Sequence, residues 1–104
     1  MEGMENFNSS SEDMIESYAA VDRIEGDFVI LEIESYSITQ NSQVPFSQRR
    51  TFMAEVPKFT MLTIAESVHE GDLFVVKHCP EEVRPIKPAP DEKARRIAFL
   101  MSLV

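Results

Sequence analysis

Two similar stretches decide the fold, IEGDFVILE at Ile24–Glu32 and HEGDLFVVK at His69–Lys77. In each stretch, Glu-Gly-Asp comes directly before a run of apolar residues. Glycine reaches positive φ without steric cost, and aspartate is common in turns because its side chain bonds to nearby backbone. We therefore interpret the triplet as one structural device used twice, a tight turn before a strand, and not as a functional motif.

The first triplet lies between two segments that have the two-residue period of a strand. After the triplet, one face of the predicted strand carries Val29, Leu31 and Ile33, and the other carries Phe28, Ile30, Glu32 and Glu34. Before it, the alternation of YAAVDRI places Ala19, Val21 and Arg23 on one face and Ala20, Asp22 and Ile24 on the other. Strand, tight turn and strand predict a β-hairpin.

The rest of the chain predicts further short strands and one helix. Strand patterns begin at Thr51 (TFMAEVPKF, with Pro57 as its end or at an edge), Leu73 (LFVVKH) and Val83 (VRPIK), and residues 35–50 predict a loop or an irregular hairpin containing Gln43–Phe46. Residues 91–103 have the apolar period of an amphipathic helix. We expect a mainly β (α+β) fold, a small five- to six-stranded barrel-like or meander sheet with that C-terminal helix. Residues 18–104 would form the single domain, and residues 1–17 an acidic flexible arm.

Composition and charge restrict the class of protein. The 104 residues have a formal net charge of −8, and the first 34 contain ten acids and a single base, Arg23. This balance argues against binding to nucleic acid or to an anionic membrane surface. No apolar run reaches the length of about 20 residues that spans a bilayer. One cysteine, Cys79, cannot form an internal disulfide, so we expect a cytoplasmic protein.

The sequence contains no recognised catalytic constellation. Asp22, Glu25 and Asp27 lack the further oxygen ligands of a calcium loop, and we interpret them as a solvated hairpin turn. The other candidates, His69, His78 and Cys79, are too few for a structural zinc site and fit a buried cysteine and surface histidines better. We therefore predict no catalytic, cofactor-binding or metal-binding residues, no cofactor, and a protein that is not an enzyme.

The candidate binding residues are acidic or lie in the loop before residue 51. We predict that a protein partner with a basic surface contacts Glu12, Asp13, Glu16, Glu32, Phe46, Arg49 and Arg50. Nearby, Phe46, Phe52 and Phe59 flank the two arginines and form either an exposed surface or part of the core. This predicts a small acidic protein-interaction module of a bacterium or phage, with its oligomeric state left open. The alternative is an acidic, nucleic-acid-mimicking inhibitor of a nucleic-acid-binding host enzyme such as a defence nuclease.

The block VDRIEGDFVILE at Val21–Glu32 resembles the opening of a bacterial family of domains of unknown function, numbered 3006. The stretch from Leu62 to Phe74, with its second Glu-Gly-Asp, and the charged segment from Asp91 to Leu103 are similar to the family's middle and end. Thr63 stands where the family has proline, residues 35–60 are longer, and residues 1–17 are additional. The resemblance implies a small, mostly β domain with a terminal helix, and it supplies no activity.

Overall fold

A computed structural model describes residues 14–90 of the chain, and the predicted helix 91–103 and residues 1–13 of the predicted arm lie outside the described residues. The described part contains one antiparallel sheet, a single turn of α-helix and two 3₁₀ turns, Asn41–Gln43 and Phe46–Gln48. The strands are β1 (Ile15–Glu25), β2 (Phe28–Glu34), β3 (Thr51–Pro57), β4 (Leu73–Cys79) and β5 (Glu82–Pro88), and the helical turn is α1 (Lys58–Met61). The predicted mainly β class is confirmed.

The strand order in the sheet is β3-β2-β1-β4-β5. The hairpin β4–β5 is added beside β1, on the side opposite to β2, so the order departs from a simple meander. The two outer strands, β3 and β5, are not paired with each other in the described part of the chain. The sheet is therefore open, and the predicted barrel-like closure is not supported.

A tight turn at Gly26 joins β1 and β2, and Gly26 has a φ of 60°. The register pairs Val21 with Leu31 and then Arg23 with Ile30, so Asp22 is an additional residue, a β-bulge. The bulge moves Ile24 onto the face that carries Val21, where Ile24 packs against the core. The prediction that Ile24 lies on the same face as Ala20 was wrong, because strict alternation of side chains fails at a bulge.

The second triplet positions β4 against β1. Gly71, with a φ of 88°, donates its backbone N–H to the carbonyl oxygen of Val21 at 2.9 Å, and the N–H of Val21 donates to the carbonyl of Asp72 at 2.8 Å. The carboxylate of Asp72 accepts the backbone N–H of His69 at 2.8 Å. Both triplets are therefore turns with a positive-φ glycine, as predicted, although the second does not close a hairpin.

Most of the core lies on one face of the sheet. Its buried members are Ala19, Val21, Val29, Leu31, Ile33, Val56, Met61, Val68, Phe74 and Val76. Met61 comes from α1 and Val68 from the loop that follows, so this segment covers part of the face. A smaller cluster contains Ala20, Leu73 and Ala89, with Tyr18 packed against it. The predicted alternation of Val29, Leu31 and Ile33 is confirmed.

β1 begins at Ile15, inside the segment predicted to be a flexible arm. Its first residues pair with the end of β4, with Ile15 opposite His78 and Ser17 opposite Val76. Ser17 is fully buried. This start could not be read from local pattern, because it depends on pairing with a strand about 60 residues away.

Candidate interaction surface

An apolar groove lies at the end of the sheet where the β1–β2 turn meets the end of β3. It has a volume of about 560 Å³ and is lined by Asp27, Phe28, Pro57, Lys58, Phe59 and Leu62. We call it the hairpin groove. Three of its six residues are large hydrophobic side chains that are exposed to solvent, Phe28 at 43%, Phe59 at 73% and Leu62 at 44%.

Local geometry brings these residues together. Phe28 opens β2 directly after the turn, and the register places it opposite Pro57 at the end of β3. The backbone N–H of Lys58 donates to the carbonyl of Asp27 at 2.7 Å, which holds α1 against the turn. Pro57 ends the strand and begins the helical turn, so Phe59 and Leu62 follow on a short helical segment.

The groove has the composition of a protein-binding surface. Exposed aromatic side chains that cluster, with a charged group at the rim, are typical of sites that bind another macromolecule. Asp27 and Lys58 supply one charge of each sign at this rim. Burying one such aromatic side chain contributes about 1.5–3 kcal/mol to binding.

A buried polar cluster lies at the opposite end of the sheet. The Ser17 hydroxyl donates to the carbonyl oxygen of Tyr36 at 2.5 Å and lies 2.9 Å from Nε2 of His78. His78 is 7% exposed, and its predicted position at the surface was wrong. Burial lowers the pKa of His78, while a hydrogen bond to the backbone of Glu34 acts in the opposite direction. The imidazole is therefore neutral at pH 7.

Next to this cluster, a buried ion pair fastens the loop 35–50 to β2. Nη1 of Arg49 lies 3.4 Å from Oε2 of Glu34, and both side chains are nearly inaccessible, at 6% and 3%. Asn41 donates to the other carboxylate oxygen of Glu34 at 3.1 Å, and Arg49 also donates to the carbonyl of Asn41. Burial raises the pKa of Glu34, while the Asn41 hydrogen bond and the Arg49 charge act against that rise.

A second cavity, of about 380 Å³, adjoins His78 and is lined by Ile15, Ser35, Phe52, His78, Cys79 and Pro80. The rings of Phe52 and His78 meet edge to face with centroids 5.0 Å apart. Cys79 is partly exposed, and its thiol lies 3.5 Å from a carboxylate oxygen of Glu81. Two of the polar groups that line the cavity, Nε2 of His78 and the Cys79 thiol, have hydrogen-bond partners.

The predicted acidic residues do not form one continuous surface in the described part of the chain. Arg23 pairs with Asp22 at 2.6 Å and with Glu25 at 2.5 Å, so the acids beside the first turn are largely compensated. Glu16 is exposed and lies opposite Lys77 in the register. Glu32 is half-buried and accepts a hydrogen bond from Thr51 at 2.9 Å. Glu12 and Asp13 lie outside the described residues.

The predicted loop residues separate into two groups. Phe46 is 57% exposed, and Arg50 is exposed as well. The side chain of Arg49 is only 6% exposed and pairs with Glu34, and the predicted contact of Arg49 with a partner stays a prediction. The guanidinium of Arg49 also lies over the ring of Tyr36, 5.9 Å from its centroid, which makes Arg49 a structural residue.

Two of the three exposed hydrophobic residues of the hairpin groove, Phe28 and Leu62, were missed from the sequence. Phe59 was considered together with Phe46 and Phe52, and the structure separates them, because Phe52 packs against the core while Phe46 and Phe59 are exposed. Pro57 was the feature of the sequence that could have indicated the hairpin groove. A proline that ends a strand next to several large apolar residues indicates apolar side chains on a turn at the sheet edge.

Within residues 14–90, no group of three His, Cys, Asp or Glu side chains could hold a metal ion. In the same range, no helix has the length and hydrophobicity needed to cross a membrane. Comparison of the chain with protein-family models, with curated proteins and with solved structures gives no significant match. The resemblance to the family of unknown function therefore stays a prediction.

Proposed function

We propose that this chain is a small, non-enzymatic protein-interaction module whose partner binds in the hairpin groove. The observation that carries the proposal is the convergence of Phe28, Phe59 and Leu62, all exposed, around one concave surface. A monomeric protein gains nothing in stability from aromatic side chains that stay in solvent, whereas a partner that covers them gains binding energy.

The occupant that fits is an apolar segment of a protein with a basic surface. Large apolar side chains of that segment would fill the space between Phe28, Phe59 and Leu62, and a basic residue would lie beside Asp27. The net charge of −8 favours the approach of a basic partner over an acidic one. The proposal places this interaction in the cytoplasm, in keeping with the free Cys79.

The Ser17–His78 pair supports the non-enzymatic part of the proposal. A catalytic serine must reach its substrate and give its proton to the histidine. Ser17 is fully buried and gives its proton to the carbonyl of Tyr36 instead. The pair therefore has the bonding of a structural contact.

The experiment compares two Phe→Glu variants as bait in affinity capture from host extract, followed by measurement of affinity for each captured protein. Phe59→Glu changes the hairpin groove, and Phe46→Glu changes another exposed phenylalanine that does not line it. We expect the Phe59 variant to lose affinity at least about tenfold, which corresponds to about 1.4 kcal/mol, and the Phe46 variant to bind as the wild type does. Loss only in the Phe46 variant, equal loss in both, or no binding by the wild type at low salt would each contradict the proposal.

A further inference from the structure

The two edges of the sheet differ in how well they are protected from pairing. β5 contains Pro85 and Pro88, and a register shift interrupts its pairing with β4. Prolines and bulges of this kind prevent another strand from being added. β3 contains neither proline nor glycine between Thr51 and Val56, and its pairing with β2 shows no register shift.

The register determines which backbone groups of β3 point away from the sheet. Ser35 donates to the carbonyl of Arg50 at 3.1 Å, and Lys58 donates to the carbonyl of Asp27 at 2.7 Å. In an antiparallel pair, residues that bond to the neighbouring strand alternate with residues whose N–H and C=O point away. Since residues 50 and 58 bond to the β2 side, the backbone groups of Thr51, Met53 and Glu55 point outward.

The outward side of β3 is accessible. Met53 is 50% exposed, and Glu55 is also exposed. Within residues 14–90, the backbone bonds outside the strand ladders do not involve Thr51, Met53 or Glu55. Within the described residues, three alternate residues of β3 thus present a donor and an acceptor without a backbone partner, which is the pattern that an added strand requires.

We propose that β3 pairs with β3 of a second copy of this chain, antiparallel and with the two-fold axis at Met53. Thr51 then lies opposite Glu55 of the second copy, Met53 opposite Met53, and Glu55 opposite Thr51. All three pairs exchange two hydrogen bonds. The sheet becomes a continuous ten-stranded sheet across the dimer.

The side chains favour this register over its neighbour. The half-exposed Met53 side chains of the two copies meet at the centre, and each Glu55 faces an uncharged threonine, so no like charges are opposed. Shifting the register by two residues toward Pro57 would place Thr51 opposite Pro57, which has no N–H to donate. It would also place each Met53 opposite a carboxylate.

Sedimentation equilibrium from about 1 µM to about 1 mM tests the dimer on the full chain. We expect the mass to rise from that of one chain to that of two. Met53→Lys should weaken the association at least about tenfold, because it places two ammonium groups opposite each other at the two-fold axis. Since Met53 is half exposed, the variant chain should still fold. The matched control, Leu62→Lys in the hairpin groove, should dimerise as the wild type does, so the dimer and the proposed function can fail separately.

Oxidative cross-linking tests the register. In a Cys79→Ser background, Met53→Cys should form an intermolecular disulfide rapidly, because directly opposite residues in a bonded pair have Cα atoms about 5.5 Å apart. Lys87→Cys, exposed on β5, should cross-link at least about tenfold more slowly. The proposal would be overturned if the two cysteine variants cross-linked at equal rates. It would also be overturned if the wild type had the mass of one chain at the highest concentration, or if Met53→Lys dimerised as the wild type does.

Discussion

Nε2 of His78 lies 2.9 Å from the hydroxyl oxygen of Ser17, although the two residues are 61 positions apart in the chain. The Ser17 hydroxyl donates its single proton to the carbonyl of Tyr36, and its oxygen accepts from Nε2 of His78 in the tautomer that carries the proton there. This contact joins β1, β4 and the start of the loop 35–50 through one side chain. It explains why β1 begins at Ile15, before the apolar part of its sequence.

Ser17→Ala should lower the free energy of unfolding by about 1–3 kcal/mol. The substitution removes the hydroxyl that contacts Nε2 of His78 and the carbonyl of Tyr36, and the loss of these buried hydrogen bonds is the main cost. Urea unfolding measures the change. Ser37→Ala is the control, because the Ser37 hydroxyl pairs with Thr39 at the surface, and we expect it to change stability by less than about 0.5 kcal/mol. Equal effects would show that the Ser17 contact is not structural.

His78 should make the protein less stable as the pH falls below neutral. Burial lowers its pKa in the folded state from the ordinary 6.5, so the unfolded chain takes up the proton more readily. The stability that depends on a neutral His78 is therefore fully present above pH 6.5. It is lost as the pH falls from 6.5 toward the lower pKa of the folded state. Glu34 affects stability in the opposite direction. Burial raises its pKa in the folded state above 4.5, so the folded protein takes up this proton before the unfolded chain does as the pH falls.

Unfolding free energies measured between about pH 8 and about pH 5 separate these effects. His78→Gln keeps a donor toward Ser17 but does not titrate, so its decline in stability with falling pH should be smaller than that of the wild type. His69→Gln, at an exposed histidine outside the Ser17 contact, is the matched control. A His78 variant with the full wild-type decline would show that another group causes it.

Arg49→Met should destabilise the protein by about 3 kcal/mol at pH 7, because it leaves the Glu34 carboxylate buried without its cation. The loss should be smaller at pH 5 than at pH 7, because burial raises the pKa of Glu34 and removal of the Arg49 charge raises it further, so a larger fraction of the carboxyl is protonated at the lower pH. Arg50→Met changes the exposed neighbour and should have an effect below about 0.5 kcal/mol. Chemical unfolding at both pH values measures this, and similar effects of the two substitutions would contradict the burial of Arg49.

Gly26→Ala and Gly71→Ala should each cost about 1–2 kcal/mol of stability. A Cβ atom at either position would meet no atom within 4 Å, so the cost comes from the positive φ alone, 60° at Gly26 and 88° at Gly71. Gly26→Asn should cost less than Gly26→Ala, because asparagine tolerates this region. Thermal unfolding measures the difference. If alanine and asparagine at position 26 were equally stable, the conformational explanation would be wrong.

Local pattern predicted the parts of the fold that depend on local physics. The alternation of Val29, Leu31 and Ile33 identified the core face of β2, and the glycines of both triplets have the expected positive φ. Ile24 was assigned to the wrong face because a bulge depends on how two strands pair, and the alternation of one strand does not show it. The barrel-like closure failed for the same reason, since strand order is a property of the whole sheet.

The candidate site was less predictable than the fold. Arg49 and Arg50 are adjacent and chemically identical, yet one is buried and the other is exposed. The difference comes from Glu34, which lies 15 positions earlier in the chain and is brought beside Arg49 by the loop. The hairpin groove was missed because Phe28 and Leu62 approach each other only when α1 folds against the β1–β2 turn.

We propose that a partner protein binds through apolar contacts in the hairpin groove. The most direct test is the salt dependence of the wild-type affinity for the captured partner, measured by titration calorimetry from about 0.05 M to about 0.5 M salt. Apolar contacts are not screened by salt, so we predict that the affinity changes less than about tenfold, with a negative heat-capacity change on binding. An acidic inhibitor that occupies a basic channel would lose its affinity steeply over this range, and charge reversal at Glu12, Asp13, Glu16 and Glu32 would abolish its binding. That result would contradict binding through apolar contacts in the hairpin groove.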